Sequence, residues 1–162
     1  MIIGRFLLGI AALLFSSCLA QHDNSQSDRA ERGLNARWGL TTIIVADQGS
    51  IDVLSDTEIY LDIREDDSAV VGLAGLAGCN HYVGNMMLVE QNVSISSLSA
   101  TEIYCGDEAL MEQEQRYLSL LGSMKHLKLN VSGYILRLRS DTGDYLIFSR
   151  YVPTPTTRSH IF

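Results

Sequence analysis

Apolar and polar residues alternate along most of this chain, and this period of two is the feature that most restricts its fold. In residues 58–64, written EIYLDIR, Ile59, Leu61 and Ile63 fall on one side of an extended backbone and polar residues fall on the other. Such alternation indicates a strand with one buried face. Similar segments predict further strands at about 40–45, 69–75, 80–89 and 93–98.

The C-terminal third of the domain predicts three consecutive strands. HLKLNV at residues 126–131 alternates, Ser132-Gly133 follows as a two-residue turn, and YILRLRS begins at Tyr134. A turn of that length places apolar residues opposite one another on one face, which fixes the register of the hairpin. The expected pairs are Val131 with Tyr134, Leu129 with Leu136, and Leu127 with Leu138. SDTGD then forms the next turn, leading into YLIFSRY.

One segment has a helical period instead. In DEALMEQEQRYLSLLGSM, Asp107 stands where an N-cap is expected and Gly122 stands near a C-terminal stop. The apolar stripe consists of Leu110, Tyr117, Leu118, Leu121 and Met124. Together with the strands, this helix predicts an α+β fold: a strongly curved antiparallel sheet or open barrel with one main helix packed on it.

The N-terminal residues predict export. Residues 1–17 combine Arg5 with a ten-residue apolar run that is too short for a stable membrane anchor, as in a signal peptide. Ser16-Ser17-Cys18 follows and resembles the lipobox of bacterial lipoproteins, in which Cys18 is acylated, for example with palmitate; Leu19 then favours the outer membrane, facing the periplasm. Cleavage after Ala20 is the alternative. We expect residues 18–36 to be a lipid-anchored tether, 37–151 the domain and 152–162 a disordered tail.

Charge and composition exclude several classes of function. The formal net charge is −7, so the surface repels phosphate backbones and nucleic acid is not an expected partner. Cys79 and His81 are too isolated for a catalytic pair, because no Asp or Glu lies within five residues to orient the imidazole. No cysteine or histidine spacing matches a zinc site. We therefore expect no enzymatic activity, no metal and no cofactor.

Two cysteines remain in the domain once Cys18 is acylated or removed. An even pair in an exported domain points to a disulfide, here between Cys79 and Cys105. The alternative is two unpaired buried thiols. The surrounding Gly75, Gly78 and Gly84 permit bends or bulges at a strand corner.

Several segments, in order, resemble the META domain family of HslJ-like heat-inducible lipoproteins. The resemblance covers about residues 37–150 and centres on GLAGCNHYVG. His81 and Glu102 depart from it, since the family often has Arg at both positions. The matching residues are Trp38, Leu40, Gly75, Gly78, Cys79, Asn80, Tyr82, Gly84, Thr101, Ile103, Cys105, Glu114, Tyr117, Leu118, Leu121, Leu136, Leu138, Gly143, Leu146 and Phe148.

The resemblance implies an exported, often lipid-anchored domain with a structural role for the motif, and a link to envelope stress without an accepted enzymatic reaction. We expect a non-enzymatic interaction or stress-response module of the cell envelope, bound to the membrane by its N-terminal lipid and to a possible envelope protein partner. The alternative is a binder of an apolar small molecule or acyl chain inside the barrel. A barrel core filled by Leu127, Leu129, Leu136 and Leu138 would argue against that alternative.

Overall fold

The computed structural model describes residues 33–64 and 70–151, and these form nine strands and one helix. Helix α1 spans Glu108–Ser123, between the sixth and seventh strands. The strands are β1 Ala36–Val45, β2 Gly49–Ile51, β3 Ile59–Arg64, β4 Val70–Ala77, β5 His81–Val89, β6 Asn92–Ala100, β7 Met124–Leu129, β8 Ile135–Ser140 and β9 Tyr145–Arg150. The predicted signal peptide, Cys18, most of the predicted tether and the predicted C-terminal tail lie outside the described residues.

The strands form a closed antiparallel barrel. Their order in the sheet is β2-β1-β3-β4-β5-β6-β7-β8-β9, and β1 also pairs with β9. The second pairing closes eight strands into a ring and leaves β2 as a short addition beside β1. The predicted α+β fold, a curved sheet or barrel with one main helix, is confirmed, and the structure adds that the barrel is closed.

The weakest join in the ring lies between β6 and β7. These strands share a single paired position, Asn92 with His126, and the backbone N–H of Leu127 donates to the carbonyl of Gln91 at 2.8 Å. Helix α1 connects the same two strands and packs against β6. The helix thus links in sequence the two neighbouring strands that share the fewest paired positions.

The predicted alternation determines which side chains fill the barrel. In β3, Ile59, Leu61 and Ile63 are buried, while Arg64 is exposed. Leu34, in the segment predicted as a tether, is also buried and packs with the core. The largest fully buried side chains are Trp38, Tyr82, Tyr117, Phe148, Ile43, Leu61, Ile63, Met86, Leu121, Met124, Leu136 and Leu138.

The β7–β8 hairpin has the predicted register but a longer turn. Leu129 pairs with Leu136 and Leu127 with Leu138, as expected. The expected pairing of Val131 with Tyr134 is wrong, because the ladder stops before these residues, and both side chains are exposed. The side chain of Asn130 explains the difference.

The Asn130 Oδ1 accepts the backbone N–H groups of Tyr134 and Ile135, each at 2.8 Å, and the ladder ends at the Leu129–Leu136 pair. Gly133 within the turn has a φ of 77°, a conformation that favours glycine.

The helix begins as predicted. The carboxylate of Asp107 accepts the N–H groups of Ala109 and Leu110 at 2.9 and 3.2 Å, which makes it the N-cap. The helix ends at Ser123, one residue after Gly122. Within the described residues, no helix has the length and hydropathy needed to span a bilayer.

Candidate functional site

Cys79 and Cys105 form a disulfide at the corner between β4 and β5. Their Cα atoms lie 6.1 Å apart, inside the range that a disulfide can bridge, and 26 positions separate them in the chain. The bond ties the corner to the segment 101–107, which leads from β6 into α1. The predicted pairing is confirmed, and a sulfur in this bond is not available as a thiolate nucleophile.

Asn80, next to the disulfide, holds the same segment by its amide. Its Oδ1 accepts the hydroxyl of Thr101 at 2.7 Å and the N–H of Ile103 at 2.8 Å. Its Nδ2 donates to the carbonyl of Ile103 at 2.9 Å and to Glu114 at 2.7 Å. The side chain is buried and all four of its hydrogen-bonding positions are used. Asn80 is therefore a structural hub.

Glu114 connects the helix to this corner. It is 5% exposed, and one carboxylate oxygen accepts the backbone N–H groups of Cys79 and Asn80 at 3.1 and 2.6 Å. Three hydrogen bonds to one carboxylate compensate for its removal from water. The prediction of an apolar stripe missed this residue, and also the buried Gln113.

A positional signal for Glu114 was present in the sequence. It precedes Tyr117 by three residues and Leu121 by seven, so it lies on the same helical face. Leu110 and Leu118, which the stripe included, are only half-buried.

Gly75 and Tyr82 pack against each other inside the barrel. A Cβ on Gly75 would lie 2.1 Å from the carbonyl oxygen of Tyr60 and 2.6 Å from the Tyr82 ring, so only glycine fits. The Tyr82 hydroxyl donates to that carbonyl at 3.0 Å and contacts the Tyr117 hydroxyl at 2.7 Å. Burial raises the pKa of both tyrosines above the ordinary value.

The two remaining motif glycines shape the strand corner. Gly78 has a φ of 113°, which favours glycine, and Gly84 lies at a register shift between Val83 and Asn85. The ring Nδ1 of the exposed His81 lies 3.3 Å from the carbonyl oxygen of Gly75. Across the described ranges, no cluster of His, Cys, Asp and Glu could hold a metal ion.

A groove lies on the outer side of this hub. Its volume is about 520 Å³, and its walls are the segment 100–104 and one face of α1. We call it the helix groove. It is lined by Asn80, Ala100, Thr101, Glu102, Ile103, Tyr104, Glu108, Met111, Glu112, Glu114, Gln115 and Leu118.

Two large apolar side chains stand exposed in the helix groove. Ile103 is 60% exposed and Tyr104 is 70% exposed. The segment that carries them is held by the Asn80 hydrogen bonds on one side and by the disulfide at Cys105 on the other. Glu102, Glu108 and Glu112 are exposed around them. The site thus presents apolar side chains on a fixed backbone within an acidic rim.

Comparisons with known proteins agree with this fold. A model of the META domain family matches residues 32–152. A protein from Burkholderia xenovorans, solved by NMR, is similar with a TM-score of 0.62 and 23% identity, over 74% of this chain and 83% of that one.

A second NMR structure has a TM-score of 0.52 and 18% identity, over 74% and 92% of the two chains. At these identities the two structures support the fold alone. A search of curated proteins finds no significant match.

Proposed function

The chain belongs to the META domain family, and from that premise we propose that it is an exported lipoprotein whose domain binds another envelope protein through the helix groove. It acts by binding rather than by catalysis. The observation that carries the proposal is the exposure of Ile103 and Tyr104 on a segment that Asn80 and the disulfide hold in place.

Rigid display of these side chains favours recognition. Apolar side chains exposed together mark interaction sites more often than isolated ones do. Binding costs less free energy when the contacting segment is already ordered, because little backbone entropy is lost on association. The Asn80 hub and the disulfide supply that order without occupying the exposed faces of Ile103 and Tyr104.

The rim of the groove indicates the chemistry of the partner. Glu102, Glu108 and Glu112 are exposed around the apolar surface. A complementary segment would carry one or two apolar side chains flanked by Lys or Arg, and the acidic rim would attract it over a range of about 10 Å at moderate salt. Such a partner is a protein segment rather than a nucleic acid.

The barrel interior gives little support to the alternative of an apolar ligand. Leu127, Leu136 and Leu138 are buried there, and Leu129 is half-buried against the same core. Tyr117 from the helix enters the same core and is fully buried. Side chains therefore occupy the space that an acyl chain would need.

Site-specific photo-cross-linking in cells tests the proposed groove. A photoreactive amino acid at Tyr104 should capture one protein of discrete mass, whereas the same group at Val131, which is fully exposed in the β7–β8 turn, should not. Exchanging Glu108 and Glu112 together for Gln should weaken the capture at Tyr104. Equal capture from Tyr104 and Val131, or none from either, would contradict the proposal.

Membrane attachment is a separate part of the proposal. It is supported by the order of the apolar run, the small residues and Cys18 in the sequence. A Cys18→Ser variant should lose the acyl mass and fail to partition into detergent, because serine lacks the thiol that would carry the lipid and the buried acyl CH₂ groups supply the binding free energy. A wild-type protein that is soluble and begins at Gln21 would contradict the anchor and leave the groove untouched.

A further inference from the structure

Three cationic side chains lie together on the outer face of β7 and β8. Lys128 is paired directly opposite Arg137, and Arg139 follows on the same face of β8, opposite His126. The side chains of Lys128, Arg137 and Arg139 are all exposed. We call Lys128, Arg137 and Arg139 the basic strip.

A cluster of three cations is unusual in a protein with a net negative charge. The chain has a formal net charge of −7, and the described residues hold only eight Lys and Arg. Like charges directly opposite one another on a sheet destabilise it. Among the described residues, no carboxylate forms an ion pair with any of the three cations; the nearby Asp141 contacts His126 instead, at 3.2 Å. The three positive charges are thus concentrated on one face, and none of them has a direct carboxylate partner among the described residues.

A concave surface accompanies these charges. A cavity of about 310 Å³ lies over the strip, beside the join between β6 and β7. Tyr145 and Gln91 add a hydroxyl and an amide to its walls. The full lining is Gln91, His126, Leu127, Lys128, Arg137, Arg139 and Tyr145. A water molecule occupies about 30 Å³ of liquid, so the cavity is large enough for a compact polyatomic anion.

We propose that the basic strip binds a phosphate-bearing anion. Two guanidinium groups and one ammonium group supply the planar donor pairs and the point charge that phosphate oxygens accept best. Binding would also relieve the repulsion among the three cations. The net charge of the whole chain opposes an extended polyanion, whereas a single phosphate group meets only the local positive field. The site is independent of the helix groove and of its proposed partner.

A titration with inorganic phosphate tests the site in the full-length protein. We expect saturable shifts of the amide NMR signals of β7 and β8 at constant ionic strength. The variant Arg137→Gln/Arg139→Gln should bind phosphate at least about tenfold more weakly. Loss of a single charge-assisted hydrogen bond lowers an affinity by about this factor. Because both side chains are exposed, the variant should keep the wild-type fold, which its spectrum will show directly.

The matched control removes the same charge elsewhere. Arg64 and Arg116 are also exposed and lie outside the strip, so Arg64→Gln/Arg116→Gln should bind phosphate like the wild type. Equal weakening in both double variants would mean general charge screening and would overturn the proposal. Absence of any saturable response in the wild type would overturn it as well. Binding of polyglutamate to the strip as tightly as phosphate would also overturn it, because the ligand would then be an acidic protein surface.

Vesicles identify the source of the phosphate group. Full-length protein is mixed with vesicles of phosphatidylcholine alone or of phosphatidylcholine with phosphatidylglycerol. Extra binding to the anionic vesicles that Arg137→Gln/Arg139→Gln abolishes would assign the site to a lipid headgroup. Phosphate binding without such a difference would assign it to a soluble phosphorylated molecule. Both results support a phosphate site. The vesicles of phosphatidylcholine alone control for membrane attachment by the N-terminal residues.

Discussion

Tyr82 and Tyr117 show how one hydrogen atom can decide the cost of a substitution. A carbonyl can only accept, so the Tyr82 hydroxyl donates its hydrogen to the carbonyl of Tyr60. The Tyr117 hydroxyl must then donate to Tyr82, at 2.7 Å. Both rings lie in the core, where burial raises the pKa of each hydroxyl and keeps it neutral.

Substituting these tyrosines should therefore have unequal effects. Tyr82→Phe leaves the buried Tyr117 hydroxyl without an acceptor and should lower the free energy of unfolding by about 2–3 kcal/mol. Tyr117→Phe leaves Tyr82 its bond to Tyr60 and should cost only about 1 kcal/mol. Urea unfolding of the two variants at neutral pH measures the difference. A larger loss for Tyr117→Phe would contradict the assigned donor directions.

At the scale of elements, the helix is attached to the barrel by polar as well as apolar contacts. Tyr117 and Leu121 pack into the core, and Glu114 accepts hydrogen bonds from the β4–β5 corner. Asn80 cannot turn its amide to suit a changed helix, because its oxygen is already bonded to Thr101 and Ile103. The position of α1 relative to the corner is thus specified by direction-dependent bonds.

This arrangement predicts that Glu114→Gln is strongly destabilising despite its similar shape. The new amide nitrogen would face the Nδ2 of Asn80 or the backbone N–H groups, and two donors cannot pair. We expect a loss of about 2–4 kcal/mol in the free energy of unfolding, the cost of buried unsatisfied donors. Thermal or urea unfolding provides the measurement.

Glu112→Gln is the matched control, since Glu112 is exposed on the same helix and should change stability by less than about 0.5 kcal/mol. Similar losses in the Glu112 and Glu114 variants would show that helix charge, and not the corner, sets the effect.

At the scale of the whole molecule, three kinds of long-range connection hold the barrel and helix together. The pairing of β1 with β9 closes the ring, helix α1 packs against β6 and β4, and the disulfide ties the corner to the segment before the helix. The last of these constrains the unfolded chain as well as the folded one.

The double variant Cys79→Ser/Cys105→Ser should accordingly remain folded but become less stable. A crosslink between residues 26 positions apart contributes about 3.5 kcal/mol in the chain-entropy description. The Asn80 hydrogen bonds keep segment 101–103 in place, so the amide NMR spectrum should stay dispersed while the denaturation midpoint falls.

Peptide mapping of unreduced protein from the cell should recover the two cysteines in one linked peptide pair. Two free thiols, or an unchanged midpoint in the variant, would contradict this account.

Local features were readable from the sequence. The alternation in β3, the Leu129–Leu136 register and the N-cap at Asp107 depend on neighbours within a few residues, so periodicity and residue type were enough to predict them. The cysteine pair followed from parity, and the family from motifs spread over the whole domain. The error at Val131 was also local, because the pattern carried no information on how Asn130 would bond the turn.

The tertiary structure alone decided where distant segments meet. The helical period places Glu114 on the same face as Tyr117 and Leu121, but only the fold brings it to Asn80, 34 positions earlier, whose donors compensate for its burial. The pairing of β1 with β9 and the exposure of Ile103 and Tyr104 likewise depend on contacts between segments that are distant in the chain. Local pattern determines which face of an element is apolar, whereas chain folding determines which polar groups find partners there and which apolar groups remain exposed.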